Sequence, residues 1–277
     1  MGPAITATVD MPRLLYGTAW KKAETERWVR AALEQGFRGF DTACQPRHYD
    51  EAGVGAGLAL AGAIGVRREQ LYLQTKFTPL DGQDAVSVPY DPHAPLHEQV
   101  MQSFAASQRN LRTDHLDALL LHSPLGGDSE TLVAWRAFEE IAATGGARRL
   151  GISNCYRVAT LQALHASARI KPTIVQNRFH AAERYDRTIR AFCDAHGLTY
   201  QSFWTLTANA RVLAQAQVLR LAERHGRTAA QILFRYLTQI GVVPLIGTRS
   251  LAHMREDLAI FEFELSEDER AALDVLF

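Results

Sequence analysis

Neither sign of charge is in surplus in this chain. Thirty Lys and Arg stand against thirty Asp and Glu, and no basic run or basic helix supplies a local field, so no nucleic-acid partner is expected. Cysteine is scarce. Cys44, Cys155 and Cys193 are too widely spaced for a CxxC redox or zinc motif, and an odd, scattered set reads as reduced thiols of a cytoplasmic protein. No stretch approaches the ~18 uninterrupted apolar residues of a membrane span, and the first ten residues lack the basic region and apolar core of a secretory signal. A soluble chain without a membrane partner is therefore expected. Met1-Gly2-Pro3-Ala4-Ile5-Thr6 fits the short myristoylation pattern but is read as a chance match in an unstructured start. The glycine-rich signatures GxGxxG and GxxxxGKS/T are also missing, which argues against an open doubly wound sheet. The ten histidines include no HExxH and no tight His/carboxylate cluster, so no metal is expected.

What the chain does have is enough apolar material for a substantial core, 47% hydrophobic against 22% charged over 277 residues. Short apolar runs alternate with longer segments of helical periodicity. Strands are expected at 14–20, 39–43, 71–78, 116–123, 149–154, 173–179, 199–206 and 242–247. Helices are expected at 24–35, 51–63, 96–111, 130–143, 158–168, 184–196, as a pair within 212–239, at 252–261 and finally at 268–276. Eight βα units predict a single α/β domain over residues 1–277, a (β/α)8 TIM barrel of common size. The proline-rich stretch 79–95 is too broken for a helix and is expected to overhang the barrel mouth.

Barrel active sites lie at the carboxyl ends of the strands, which directs attention to Asp41, Tyr49, Lys76 and His122. Each also has a plain reading: helix cap, rim aromatic, surface cation and satisfied core imidazole, respectively. Together they make a mechanism for carbonyl reduction. A phenol titrates near pH ~10, and burial raises that value. Lys76 within hydrogen-bonding range would lower it, Asp41 would keep Lys76 charged, and neutral His122 would hold the carbonyl oxygen beside the phenol.

Several segments carry a resemblance to a known family. Gly36-Phe37-Arg38-Gly39-Phe40-Asp41-Thr42-Ala43, Gln74-Thr75-Lys76, Leu121-His122-Ser123-Pro124, Gly151-Ile152-Ser153-Asn154, Val175-Gln176-Asn177-Arg178-Phe179 and Gly247-Thr248-Arg249-Ser250 resemble, in order, the signature segments of the aldo-keto reductases. The resemblance spans about 11–261. It implies that Asp41, Tyr49, Lys76 and His122 form the catalytic tetrad, and that Ser153, Asn154 and Gln176 hold a nicotinamide carboxamide. The tyrosine comes eight residues after the aspartate where the family usually has five. The intervening Cys44-Gln45-Pro46-Arg47-His48 makes a longer loop, and His48 stands as a substitute proton donor. Phe203 takes the place of a stacking tyrosine.

The wider cofactor set implied by the resemblance is Gly17, Thr18, Ala19, Trp204, Leu206, Gly247, Thr248, Arg249, His253, Glu256 and Asp257, with Trp20, Tyr90 and Trp204 as apolar substrate walls beside His122. Gly247 and His253 stand where NADPH-preferring members place a lysine and an arginine. Arg249 is then expected to grip the 2′-phosphate, giving NADP(H) preference with NAD(H) tolerated, unless it merely pairs with an acid such as Glu256. Family members with a long C-terminal loop cover the pocket with it, and an open pocket is expected here. The expected function is NADP-dependent reduction of an aldehyde or ketone by a monomer or weak homodimer. The alternative is a non-catalytic nicotinamide-binding regulatory subunit.

Overall fold

In the computed structural model, which describes residues 10–277, eight short parallel strands close on themselves in sequence order. They are β1 Leu15–Gly17, β2 Gly39–Asp41, β3 Tyr72–Phe77, β4 Leu116–Leu121, β5 Ala147–Ser153, β6 Ile174–Arg178, β7 Thr199–Phe203 and β8 Val243–Ile246. The ring shuts where β1 pairs with both β2 (Tyr16 opposite Phe40) and β8 (Leu15 opposite Leu245). This is the expected (β/α)8 architecture, and closure leaves no sheet edge to protect. The expected unstructured start falls on residues 1–9, outside the described residues. Among the described residues no helix is long and apolar enough to cross a membrane.

Alternation along the strands divides the core in two. Leu15, Tyr72, Ala118, Leu120, Ile174 and Val243 fill the barrel interior. The opposite faces pack the helices. The interior is tight enough that a Cβ at Gly39 would meet Leu15 Cδ2 at 2.4 Å. On the outside run α1 Thr25–Gln35, α2 Glu51–Leu58, α3 Leu96–Leu111, α4 Asp128–Ala143, α5 Val158–Ser167, α6 Arg187–His196, α7 Ala210–Leu213, α8 Ala216–His225, α9 Ala229–Gln239, α10 Leu251–Leu258 and α11 Glu267–Asp274. α1 shows the logic. Val29, Ala32 and Leu33 share its buried face, and Gly36 ends it at φ 111°, a conformation that favours glycine.

Three expectations change. The strands stop earlier than their apolar runs suggest, because Trp20, Asn154 and Trp204 adopt left-handed backbone (φ 64°, 51° and 57°) just past β1, β5 and β7 and turn the chain onto the rim. α6 starts at Arg187 and not at 184, since Arg184, Tyr185 and Asp186 all have positive φ. None of residues 79–95 lines the cavity at the carboxyl ends of the strands. Gln83 Nε2 donates to the carbonyls of Cys44 and Thr78, and Tyr90 Oη to that of Thr78, which pins the stretch beside β3.

Candidate active site

The carboxyl ends of the strands surround a cavity of about 870 Å³. At its base a buried ion pair joins β2 to β3. Lys76 Nζ donates to Asp41 Oδ1 (2.7 Å), Asp41 Oδ2 (2.6 Å) and the Thr42 carbonyl (2.9 Å), and both side chains are almost wholly sealed. Charges taken out of water require such full pairing. Glutamines from three strands complete it. Gln74 and Gln176 donate to Asp41 Oδ1 and to Gln201 Oε1, while Gln201 donates back to Gln74.

Tyr49 lies above this base. The Lys76 ammonium is 5.5 Å from its ring centroid, and the His122 ring meets it edge-on at 6.0 Å. The expected hydrogen bond from Lys76 to the phenol is not formed, because all three ammonium donors go to Asp41 and Thr42. Nor is the phenol shifted down. Burial pushes it up, and the Asp41 charge adds to that rise. His122 is held at Nδ1 by Thr78 Oγ1, 2.6 Å away. With the hydroxyl donating, Nε2 carries the ring proton. Burial, then the Lys76 and His48 charges, hold the imidazole down to about 3, so it is neutral, as expected.

The longer loop before Tyr49 is fastened at several points. Gln45 Nε2 donates to the Gly82 carbonyl, Trp20 N donates to the His48 carbonyl, and the Trp20 and His48 rings lie 3.9 Å apart. Behind it, Glu51 at the start of α2 is buried and accepts from Thr75 and Ser107. Burial pushes this carboxyl up. A Cβ at Gly55 would meet the Asn110 carbonyl at 2.1 Å, so only glycine lets α2 approach α3 this closely.

The structure gathers most of the expected residues on the one cavity. Gly17, Ala19 and Trp20 follow β1. Ser153 ends β5, Asn154 follows it and Gln176 lies on β6, while Phe203 ends β7 and Trp204 and Leu206 follow it. Gly247, Thr248, Arg249, His253, Glu256 and Asp257 run from β8 into α10. Two are displaced. Thr18 is buried below the lining, its hydroxyl donating to the Asp41 carbonyl. Tyr90 packs on Phe77 (5.5 Å between centroids) and does not line the cavity, so it is core and not a substrate wall. Arg249 does not pair with Glu256. It donates to the Trp20 carbonyl and has Glu24 at 3.9 Å, with about half its side chain exposed.

Other residues at the mouth escaped sequence reasoning. Lys21, almost fully buried, donates to the carbonyls of Gly17 (2.8 Å) and Gly247 (3.1 Å), tying the β1 loop to the β8 loop. Burial pushes its ammonium down to about 7, with Arg249 assisting. Asp257, one of the expected cofactor residues, is shifted the other way, up to about 7, by burial and then by Glu256. Arg178, Thr205, Thr207 and Thr228 also line the cavity. Arg178 closes β6 and Lys21 follows the apolar run at 14–20, which is the positional signal that could have found them.

The donors suit a nicotinamide. Gln176 commits its NH2 to Asp41 and Gln201, and no described residue donates to its Oε1, which leaves an acceptor for a carboxamide. The Phe203 ring offers a stacking face nearby.

The model of the aldo/keto reductase family matches residues 13–276. A glyoxal reductase of Bacillus subtilis is 30% identical over 253 residues, 91% of this chain and 83% of that protein. A methylglyoxal reductase of Yersinia pestis is 29% identical over 269 residues, 96% of this chain and 89% of its own length. The crystal structure of an aldo/keto reductase from Brucella melitensis superposes with a TM-score of 0.81 at 26% identity, covering 96% of this chain and 95% of that one.

Proposed function

The chain belongs to the aldo/keto reductase family, and from that premise we propose that it reduces a small aldehyde or ketone with NADP(H), tolerating NAD(H), and that Tyr49 gives the proton to the carbonyl oxygen. The carrying observation is the sealed Asp41–Lys76 pair beneath a phenol that shares the cavity with a neutral imidazole. The nicotinamide, when bound, supplies the hydride. Ser153, Asn154 and Gln176 would hold its carboxamide, Phe203 its ring, and Arg249 the adenosine 2′-phosphate.

The residues' tasks follow from their environments. Burial keeps Tyr49 protonated, so a proton is available wherever a carbonyl oxygen gains negative charge. The phenolate left behind sits beside the Lys76 ammonium, whose charge favours it. Asp41 fixes that ammonium and, with Lys76, adds no net charge to the base. His122, turned by Thr78, presents Nε2–H to the same oxygen and orients it. The relatives named as reducing glyoxal and methylglyoxal support a small carbonyl substrate.

The test is to mix the protein with NADPH and either dicarbonyl and follow the loss of reduced nicotinamide. Turnover that persists with a chelator is expected. Tight NADPH binding with no turnover of any aldehyde would instead identify a nicotinamide-binding subunit.

A further inference from the structure

Arg178 closes β6 and lines the cavity. Its guanidinium donates to no protein group among the described residues, and its Nε is buried without a partner. Arg249, across the same cavity, has both a carbonyl and an acid nearby. Arg178 has neither. It lies over an aromatic face, its Cζ 4.1 Å from the Trp204 ring centroid and 6.0 Å from that of Phe203. Such a platform positions a guanidinium and shields one of its faces, leaving its edge to a planar anion.

Where the anion would sit follows from the strand. Residues two apart share a face, so Arg178 stands on the side of Gln176, about 6.6 Å further toward the mouth. Tyr49, His122 and Arg178 line the same cavity, so a molecule with its carbonyl at Tyr49 and His122 shares that space with the guanidinium. The cavity acids do not answer Arg178: Asp41 is consumed by Lys76 and two glutamines, and Glu256 and Asp257 belong to α10.

We propose that Arg178, lying over the Trp204 ring, binds a carboxylate carried by the substrate, so that the enzyme favours carbonyl compounds bearing a carboxylate a few carbons from the reacting carbon. This rests on the carbonyl-reductase reading above. A guanidinium and a carboxylate match through two parallel hydrogen bonds, which neutral substrates cannot make. The cofactor's phosphates are the other anions within the site, and the test separates them.

The experiment compares 4-carboxybenzaldehyde with its methyl ester, which share the ring and the reacting carbonyl, at saturating NADPH. A charge-assisted contact gives a kcat/KM ratio of acid to ester of about 10 to 100 in the wild type. Arg178→Met brings the ratio to about one, and Arg178→Lys leaves it between the two. A wild-type ratio at or below one overturns the proposal, as does an equal loss on both substrates in Arg178→Met. A weakened NADPH Kd in that variant with an unchanged ratio assigns Arg178 to the cofactor and likewise overturns it. Calorimetric binding of 4-methylbenzoate against 4-methylbenzamide needs no chemistry. If neither aldehyde is reduced but the acid is still preferred in an Arg178-dependent way, the reductase reading fails and the anion site stands.

Discussion

Two buried aspartates, one at each end of the barrel, show how position divides chemistry from support. Asp117, near the start of β4, accepts from Arg68 (2.9 Å), Arg148 (2.9 Å) and the backbone N–H of Leu73 (2.9 Å). It joins β3, β4 and β5 at the floor, and its arginines are a quarter to a third exposed. Asp41, at the end of β2, meets an ammonium that is 1% exposed, and the pair forms the base of the cavity. Both satisfy a buried carboxylate. Only the mouth aspartate has a phenol, an imidazole and open space above it, in keeping with the general split between a stabilising floor and a reactive mouth in this fold.

The comparison is sharpened most by Tyr49→Phe, which should lower kcat by about 10²–10⁴ while leaving NADPH binding largely intact. Asp117→Asn, at the floor, should leave kcat unchanged. Comparable losses in the two variants would mean that the ends of the barrel are not functionally distinct. A retained rate in Tyr49→Phe alone would move the proton to His48.

Stability should keep that order but narrow the gap between the two ends. Lys76→Met strands Asp41 uncompensated, so urea denaturation should show a loss of about 3–5 kcal/mol, along with lost turnover. Asp117→Asn should cost less, roughly 1–3 kcal/mol, because water reaches its arginines and one of them remains paired in part.

Arg249→Ala probes the loose side of the mouth. Half-exposed, Arg249 should contribute an NADPH over NADH preference of about 10-fold in kcat/KM, near the low end for a charge-assisted hydrogen bond. The variant should lose most of it. Equal use of the two cofactors by the wild type would remove Arg249 from the cofactor site.

A further effect is one of pH. His122 is depressed from 6.5 to about 3 on folding, so the unfolded chain binds the extra proton first. This group's contribution is full above about 6.5 and falls as the pH drops below it, down to about 3. Asp257, raised to about 7, acts in the opposite sense, its contribution full at low pH and lost as pH rises from about 4 to 7. The difference between wild type and His122→Gln isolates the histidine. Urea midpoints between pH 4 and 6.5 should slope less steeply in the variant, and parallel profiles would show an imidazole that is not held neutral.

Asp41, Lys76 and His122 were legible because each follows an apolar run whose end is a strand end, and because short motifs surround them. Tyr49 was legible despite its longer loop through the Asp50-Glu51 helix start, where Asp50 Oδ1 accepts from Gly53 N at 2.9 Å. Tyr90 misled, since an aromatic in a proline-rich stretch reads as rim, whereas its hydroxyl donates to the Thr78 carbonyl and its ring joins the core. Thr78 and Gln201 left no mark in the sequence. Each acts on the site through hydrogen bonds to residues far along the chain, 44 positions away for Thr78 and His122 and 127 for Gln201 and Gln74.

The sequence by itself determined the order of eight strands and their helices, and therefore which residues reach the mouth, because period and turn chemistry are local properties of the chain. Only the tertiary structure decided which donors are spent and which are free. Lys76 gives all three of its donors to Asp41 and Thr42, and the Arg178 guanidinium gives none to the described residues. Partnership of that kind depends on the direction of side chains brought together from distant strands when the barrel closes, and no local pattern encodes that direction.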